Sequence, residues 1–479
     1  MISIEKIKKY PWEKIALALC LAVLVIIRLR MYLLKGPSIL GVDGEVRYLP
    51  SINWLETDVL NFFRLTGPTY VCFLFFLKKI TSAKLFFLSV SIFQHLFGLI
   101  SAVLSYLFLR SYNKVFALVI TFYLFSREAR LILEHSVMRE SLCVLIFSLL
   151  LYLFFRKESI ARYKKNELLF AICFGLMGLA LKMTRGEYIV VFLSLPVVFT
   201  ILNRKYFLSE KLKAIKLSSI YFLPFVIYLV LKSILLPMQD QKNISQKAPY
   251  SGSTFNIAYH SMKPEVFYYK NSAYPELLNG YQKVLDKNKK VGLSMGAFYK
   301  LTQAYLKKHP ELKMGYIKMM DKIYLEMVMK NTWVYSKALL SNFYIMTLGN
   351  ENAVGFGLGR PLKWNRFLLN LMERISFTTE KFIGIKTVNT WAFYLFIISS
   401  LLLVFFFKKY PIEIQTGFFI SWIHLITLGV FANPVYRFRM PLDIGYYSFS
   451  FFGLFVITCA ITSLIKRRFG GKNLKPIAG

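Results

Sequence analysis

The stretch Gly41-Val42-Asp43-Gly44-Glu45-Val46-Arg47-Tyr48 sets two carboxylates, separated by one residue, directly after the first long apolar run of a very apolar chain. Holding ionised carboxylates at a membrane boundary is costly, so such a pair marks either a site of chemistry or an interfacial ion pair. The chemistry open to it is proton abstraction. One carboxylate takes the proton of an attacking hydroxyl or amine while nearby cations hold an anionic leaving group. Asp43 is the first choice for the base and Glu45 the alternative; the structural reading is an acidic turn in a solvated loop.

Further charged residues gather in three other short stretches: Glu134, His135, Arg139 and Glu140; Lys182, Arg185 and Glu187; and Arg437 and Arg439. With Arg47, the residues Arg139, Glu140, Lys182, Arg185, Arg437 and Arg439 are the candidates for binding a substrate and its phosphate. Each has a structural alternative. At helical spacing Glu140 shares a face with Ser136, and His135 with Arg139, so this group can equally cap a helix. Lys182 and Arg185 follow an apolar run, where snorkelling accounts for them without function. His135 has no second His or Cys at ligand spacing and reads as a hydrogen-bonding residue rather than a metal ligand, while His95 and His424 read as packed polar residues.

Composition decides what positions these residues. Hydrophobic residues make up 56% of the chain and aromatic residues 17%, with a mean hydropathy of +0.49, which puts it in the class of integral membrane proteins. A net charge of +36 would point to nucleic acid in a soluble chain. Here the Lys and Arg residues fall in short blocks between apolar runs, as the positive-inside rule requires, so no nucleic-acid partner is expected. Cys20, Cys72, Cys143, Cys173 and Cys459 each lie singly in apolar segments, which indicates neither a disulfide framework nor a metal site.

The run from Ile15 to Leu34 follows several lysines and is not followed by a small-residue cleavage site, so it is an anchor. Counting every later apolar run as a span would put the block from Arg156 to Lys165 outside. Reading Pro68 to Ile80 as an outer half-helix removes the conflict, since it reaches only about 21 Å against a hydrocarbon core of about 30 Å. The spans are then 15–34, 84–109, 115–133, 141–155, 168–184, 188–203, 217–237, 391–407, 413–432 and 442–465. Both termini are cytoplasmic, at the cost of leaving Lys78, Lys79 and Lys84 outside. The long segment between the seventh and eighth spans has soluble composition. Within it Met314, Ile317, Met320, Tyr324 and Met327 recur along one helical face, which reads as packing first and as a lipid groove second. The expected fold class is an all-α polytopic membrane protein, a bundle of about ten transmembrane helices with an outer, mostly helical cap. It divides into an N-terminal transmembrane domain (1–237, with the first outer loop at 35–83), a cap with juxtamembrane helices (238–390), and C-terminal helices with a basic tail (391–479). A bacterial cytoplasmic membrane is the expected location.

An acidic first outer loop, an outer half-helix, a pair of spans and a polar cluster opening the fourth span together resemble the GT-C superfamily of membrane glycosyltransferases. The stretch Asn433-Pro434-Val435-Tyr436-Arg437-Phe438-Arg439-Met440-Pro441-Leu442-Asp443 is similar to the Arg-Tyr-Arg-x-Pro-Leu pattern of protein-mannosyltransferase-like and aminoarabinose-transferase-like members. Lys313 to Leu348, with Lys330-Asn331-Thr332-Trp333-Val334-Tyr335, resembles their juxtamembrane helices. The resemblance covers the layout of most of the chain and three short stretches of residues. It implies a GT-C-like bundle, a polyprenyl-phosphate-linked sugar donor, a lipid, glycan or protein acceptor, and an inverting single displacement among membrane lipids. It also implies Asp43 as base with Glu45 as alternative, Glu140 as the second-loop acid, and Arg185 with Arg437 or Arg439 at the donor phosphate. The adjacent Asp-Glu pair of many members is split here by Gly44, which leaves the choice of base open. No cofactor is implied. A divalent cation is compatible, as in the oligosaccharyltransferases of the superfamily, whose Trp-Trp-Asp motif is missing here. The rival readings are a polysaccharide polymerase or O-antigen ligase, and a lipid or polysaccharide transporter, which would favour ionisable residues near the midplane.

Overall fold

A computed structural model of the chain describes residues 12–38, 44–65, 67–110, 113–155, 166–202, 211–235, 304–312 and 385–405, with further positions within 275–302, 322–340, 418–426 and 443–450. About 90% of the described residues are helical and none lies in a strand, so the fold is all-α. In chain order the helices are α1 (Trp12–Lys35), α2 (Leu49–Thr57), α3 (Pro68–Ile80), α4 (Phe86–Leu109), α5 (Lys114–Phe125), α6 (Glu128–Glu134), α7 (Glu140–Phe155), α8 (Glu167–Thr184), α9 (Ile189–Leu202), α10 (Lys211–Leu235) and α11 (Ile385–Phe405). A π-helical turn (Gly44–Tyr48) precedes α2 and a 3-10 turn (Val59–Arg64) follows it. Four helical stretches, Trp12–Leu33, Phe86–Leu109, Glu167–Thr184 and Ile215–Leu235, are long and apolar enough to cross a membrane. Their exposed faces carry large apolar side chains such as Leu19 and Leu29 on α1 and Leu223 and Val230 on α10, as a lipid-facing surface requires.

Helix α3 begins and ends where the sequence places the half-helix. Pro68 occupies its first turn, where a missing N–H costs nothing, and the Thr81 hydroxyl closes it by donating to Leu77 O at 2.7 Å. Its 13 residues make a rod of about 20 Å, well short of a bilayer core. Tyr70, Val71, Leu74 and Leu77 are buried against Ile52 and Leu55 of α2 and Phe86 and Val90 of α4. Two of the three lysines that strain the charge rule, Lys78 and Lys79, share one carboxylate. Lys78 Nζ donates to Glu56 Oε2 at 2.8 Å and Lys79 lies 3.4 Å from Oε1, and the hydrogen bond from Lys78 holds the Glu56 carboxyl below its usual range.

Helix α4 is the central rod, packed on α5, α7, α3 and α1. At one end Glu13 accepts from the Tyr106 hydroxyl (2.6 Å) and from Lys114 Nζ (2.6 Å), which fixes the starts of α1 and α5 beside the end of α4. Near the middle of α4, Arg28 of α1 meets Glu134 at 2.7 Å. The expected span 115–133 is corrected here, because it is two helices. The backbone is extended at Arg127 (φ −66°, ψ 133°), and the buried guanidinium lies 3.4 Å from Asp443 and over the Tyr123 and Tyr447 rings. Helices α10 and α11 begin before the expected spans, at Lys211 and Ile385, while their apolar stretches begin at Ile215 and Trp391, close to expectation. The methionine face at 314–327 and most of the two final spans lie outside the described residues.

Helix α6 delivers Glu134 onto α4 at Gly98, where a methyl group would overlap the carboxylate. Gly98→Ala is therefore expected to displace Glu134 and to cost about 3–5 kcal/mol, the usual loss when a buried ion pair is broken. Unfolding by denaturing detergent measures it. Stability equal to that of the wild type would show that Glu134 has room to move.

Candidate functional site

The polar ends of the first loop, of the α6–α7 connection and of the α8–α9 connection meet at one end of the bundle. Within the π-helical turn Glu45 is exposed, Arg47 is half-buried, and Tyr48 is buried with its ring edge-on to Tyr70 at 4.9 Å. Asp43, Arg437 and Arg439 lie outside the described residues. Tyr70 leads from this turn to the second acid. Burial, with the Tyr48 and Glu140 charges adding to it, raises its phenol well above the ordinary value, so it stays a neutral hydrogen-bonding group. The Tyr70 oxygen accepts from Gln94 Nε2 at 2.8 Å.

Glu140 opens α7 and Arg185 follows α8, and the two face each other with Arg185 NH1 3.5 Å from Glu140 Oε1. Both side chains are buried, Arg185 at 1% and Glu140 at 3% exposure, so the snorkelling account of Arg185 is overturned. A guanidinium this deep in the bundle is held by an acid rather than by water. Arg139 is half-buried and donates to Thr184 O at 3.1 Å. Gly67 fits beneath them because it has no side chain. Its φ is 75°, and a Cβ there would lie 3.0 Å from Thr184 O and 3.3 Å from Arg139 NH1. Lys182 instead lies over the Phe225 and Tyr228 rings of α10, at 5.5 and 5.1 Å. The fold therefore brings Arg139, Glu140 and Arg185 together, with Tyr48 of the first loop reaching them through Tyr70. Glu140 Oε2 and Ser141 Oγ are buried and make no hydrogen bond. The arrangement offers a carboxylate oxygen and guanidinium groups to an anionic, hydroxyl-rich ligand.

Beside this group lies a second network that the sequence reading did not assemble. Arg28, His95, Glu134 and His135 are all buried. His135 Nε2 lies 2.7 Å from Gly36 O, and because a carbonyl only accepts, this nitrogen carries a proton. His135 Nδ1 lies 3.0 Å from both Ser91 Oγ and His95 Nε2, and His95 Nδ1 lies 3.3 Å from Glu134 Oε2. Two acceptors thus bracket four ring nitrogens, and making every contact takes one proton more than two neutral imidazoles hold. Arg28 closes the network on Glu134. The helical-face reading of Glu134 to Glu140 is corrected by the same geometry. Helix α6 stops at Glu134, where the Ser136 hydroxyl donates to Ile132 O (2.6 Å) and Met138 N turns back to Ser136 O (2.7 Å); beyond it His135 O accepts from Ser38 Oγ (3.1 Å) and Met138 O from Gln94 Nε2 (2.6 Å). The available signal was the presence of Arg28 and His95 inside apolar runs, where an ionisable residue marks a site by default.

Among the described residues, no three His, Cys, Asp or Glu side chains converge to hold a metal ion. Comparison of the chain with protein-family models, with curated proteins and with solved structures gives no match.

A double-mutant cycle tests the Arg185–Glu140 pair. Arg185→Met or Glu140→Gln alone leaves one buried partner uncompensated and is expected to cost about 3–5 kcal/mol of unfolding free energy, while the double variant recovers part of it. Strictly additive losses would show that the two groups do not pair.

Proposed function

We propose that the chain is a membrane glycosyltransferase of GT-C type, moving a sugar from a polyprenyl-phosphate donor to a lipid, glycan or protein acceptor. The observation that carries this reading is the meeting of Glu140, Arg139 and Arg185 at the end of the bundle that also holds the acidic first loop. In this reading that end is extracytoplasmic, the bundle has about ten spans beneath a helical cap, and both termini lie in the cytoplasm of a bacterial cell. The lipid tail lies along the helices, and the phosphate sits at the boundary near Arg185 and Arg139, with Arg437 or Arg439 joining from the late loop.

The reaction follows from the residue types. The acceptor oxygen or nitrogen attacks the anomeric carbon from the face opposite the phosphate, and the bond from that carbon to the phosphate oxygen breaks. The electron pair leaves with the polyprenyl phosphate, whose growing charge the guanidinium groups stabilise. Asp43, or Glu45 as the alternative, takes the acceptor proton. Glu140 keeps Arg185 in place and offers its second oxygen to a sugar hydroxyl. A single displacement of this kind inverts the anomeric configuration and needs no covalent enzyme intermediate.

One observation favours a second reading. Arg28, His95 and Glu134 are ionisable groups inside the bundle, and His95 lies nine residues into α4, about 14 Å along its axis. Such depth suits a proton-coupled transporter of a lipid-linked saccharide.

Purified protein in detergent, given a panel of labelled polyprenyl-phosphate sugars, separates the two, since transfer needs no gradient. We expect transfer with one donor class and a loss of about 10²–10⁴-fold in kcat for Asp43→Asn or Glu45→Gln, whichever is the base, with donor binding retained. Wild-type turnover in both variants would remove the first-loop acids from the mechanism. Absence of transfer in detergent, with substrate movement in sealed vesicles, would establish the transporter.

A further inference from the structure

His135 grips the root of the first loop from two directions. Its ring donates through Nε2 to Gly36 O (2.7 Å), and its own carbonyl accepts from Ser38 Oγ (3.1 Å). Residues 36–38 are where the chain leaves α1, and five residues later it reaches Asp43. The gripping residue is itself fixed from behind. Ser91 and His95 of α4 hold its other ring nitrogen, and Glu134 holds His95 while paired with Arg28. Arg28, Ser91, His95, Glu134 and His135 are buried and Ser38 is half-buried, so the hydrogen bonds that fix the ring from behind are shielded from water.

We infer that His135 is a positioning residue for the acid-bearing first loop, held in one orientation by Ser91, His95 and Glu134 so that its ring and its carbonyl set where residues 36–38 leave the bundle. The inference rests on the glycosyltransferase reading for its catalytic consequence, though not for the clamp itself. His135 holds residues 36–38, which precede Asp43 by five positions or more, so the role assigned to it is positioning rather than contact with substrate. Its effect is geometric, because a base displaced by about 1 Å from the acceptor proton loses about 10²-fold in rate.

The full-length protein in detergent supplies two readouts. The first is hydrogen–deuterium exchange in peptides covering Gly36–Ser38 and Gly44–Tyr48. His135→Ala is expected to raise exchange there about tenfold or more while Phe86–Leu109 is unaffected. His135→Gln, whose amide can still donate to Gly36 O, restores most of the protection, and Ser38→Ala, a milder change that leaves the core intact, gives a smaller rise confined to the same peptides. Unchanged exchange in both His135→Ala and Ser38→Ala overturns the clamp. The second readout is sugar transfer. His135→Ala is expected to lower kcat about 10–100-fold with the donor KM within about threefold, and His135→Gln to recover most of it. A raised KM with kcat intact would place His135 in donor binding and overturn the positioning role. If the wild type transfers no sugar from any donor, the glycosyltransferase reading fails while the exchange experiment still decides the clamp.

Discussion

A carboxylate enclosed by apolar helices must be met by cations, and Glu134 is met from two sides, by Arg28 of α1 and His95 of α4. Removing each ion from water costs several kcal/mol, which only close pairing offsets. The pairing therefore constrains three elements at once. Helix α1 cannot slide along α4, because a shift of one residue, about 1.5 Å, would carry Arg28 away from the carboxylate. Helix α6 cannot withdraw, because its last residue is the carboxylate itself. Gly98 is the condition for all of this, since it provides the recess in α4 that the carboxylate fills.

From Glu134 the constraint passes along six residues to the candidate site. The connection 135–139 runs as an irregular bridge whose carbonyls are bonded to Ser38 and Gln94 instead of to a helix. Arg139 and Glu140 at its far end are thereby set against Thr184 and Arg185 of the next connection. Gln94 joins the two halves, since its amide reaches both Met138 O and the Tyr70 hydroxyl, and Tyr70 carries the first loop through Tyr48. Three separate connections thus share one frame of hydrogen bonds and ring contacts. The opposite end of the bundle is closed independently by Glu13 with Tyr106 and Lys114.

Local rules made much of the fold legible. The bounds of α3 follow from Pro68 and from a short apolar run, and the starts of α7 and α8 fall within a residue of expectation. The charges that gather at the candidate site were also visible, because acids and arginines at the ends of apolar runs stand out from their surroundings. The break at Arg127 was partly legible, since Ser126-Arg127-Glu128-Ala129-Arg130 interrupts the apolar run and a short loop from about Arg127 is expected there, but the partner of Arg127, an aspartate 316 residues away, was not. The same limit applies to Glu134 through Glu140. Spacing predicts faces only while the backbone stays helical, and here Ser38, 97 residues distant, occupies a carbonyl that a helix would have used. Arg28 and His95 read as isolated polar residues because a sequence shows a buried charge but not its partner.

Buried ion pairs are a poor route to stability, since well-packed apolar side chains of the same volume often serve as well or better. What an apolar contact between α1, α4 and α6 could not supply is a single register, because such surfaces slide and repack at little cost. The network in this bundle gives that register, and its ending shows what it is for. The hydrogen-bonded series from Glu134 through His95 and His135 finishes on the peptide carbonyl of Gly36, which accepts a hydrogen bond and has no proton to pass on. The other end, Glu134, is a carboxylate that can bind and release a proton, so the series is closed at Gly36 alone. What that closed end holds is the residue from which the acidic first loop departs, and the network thereby fixes where the loop leaves the bundle.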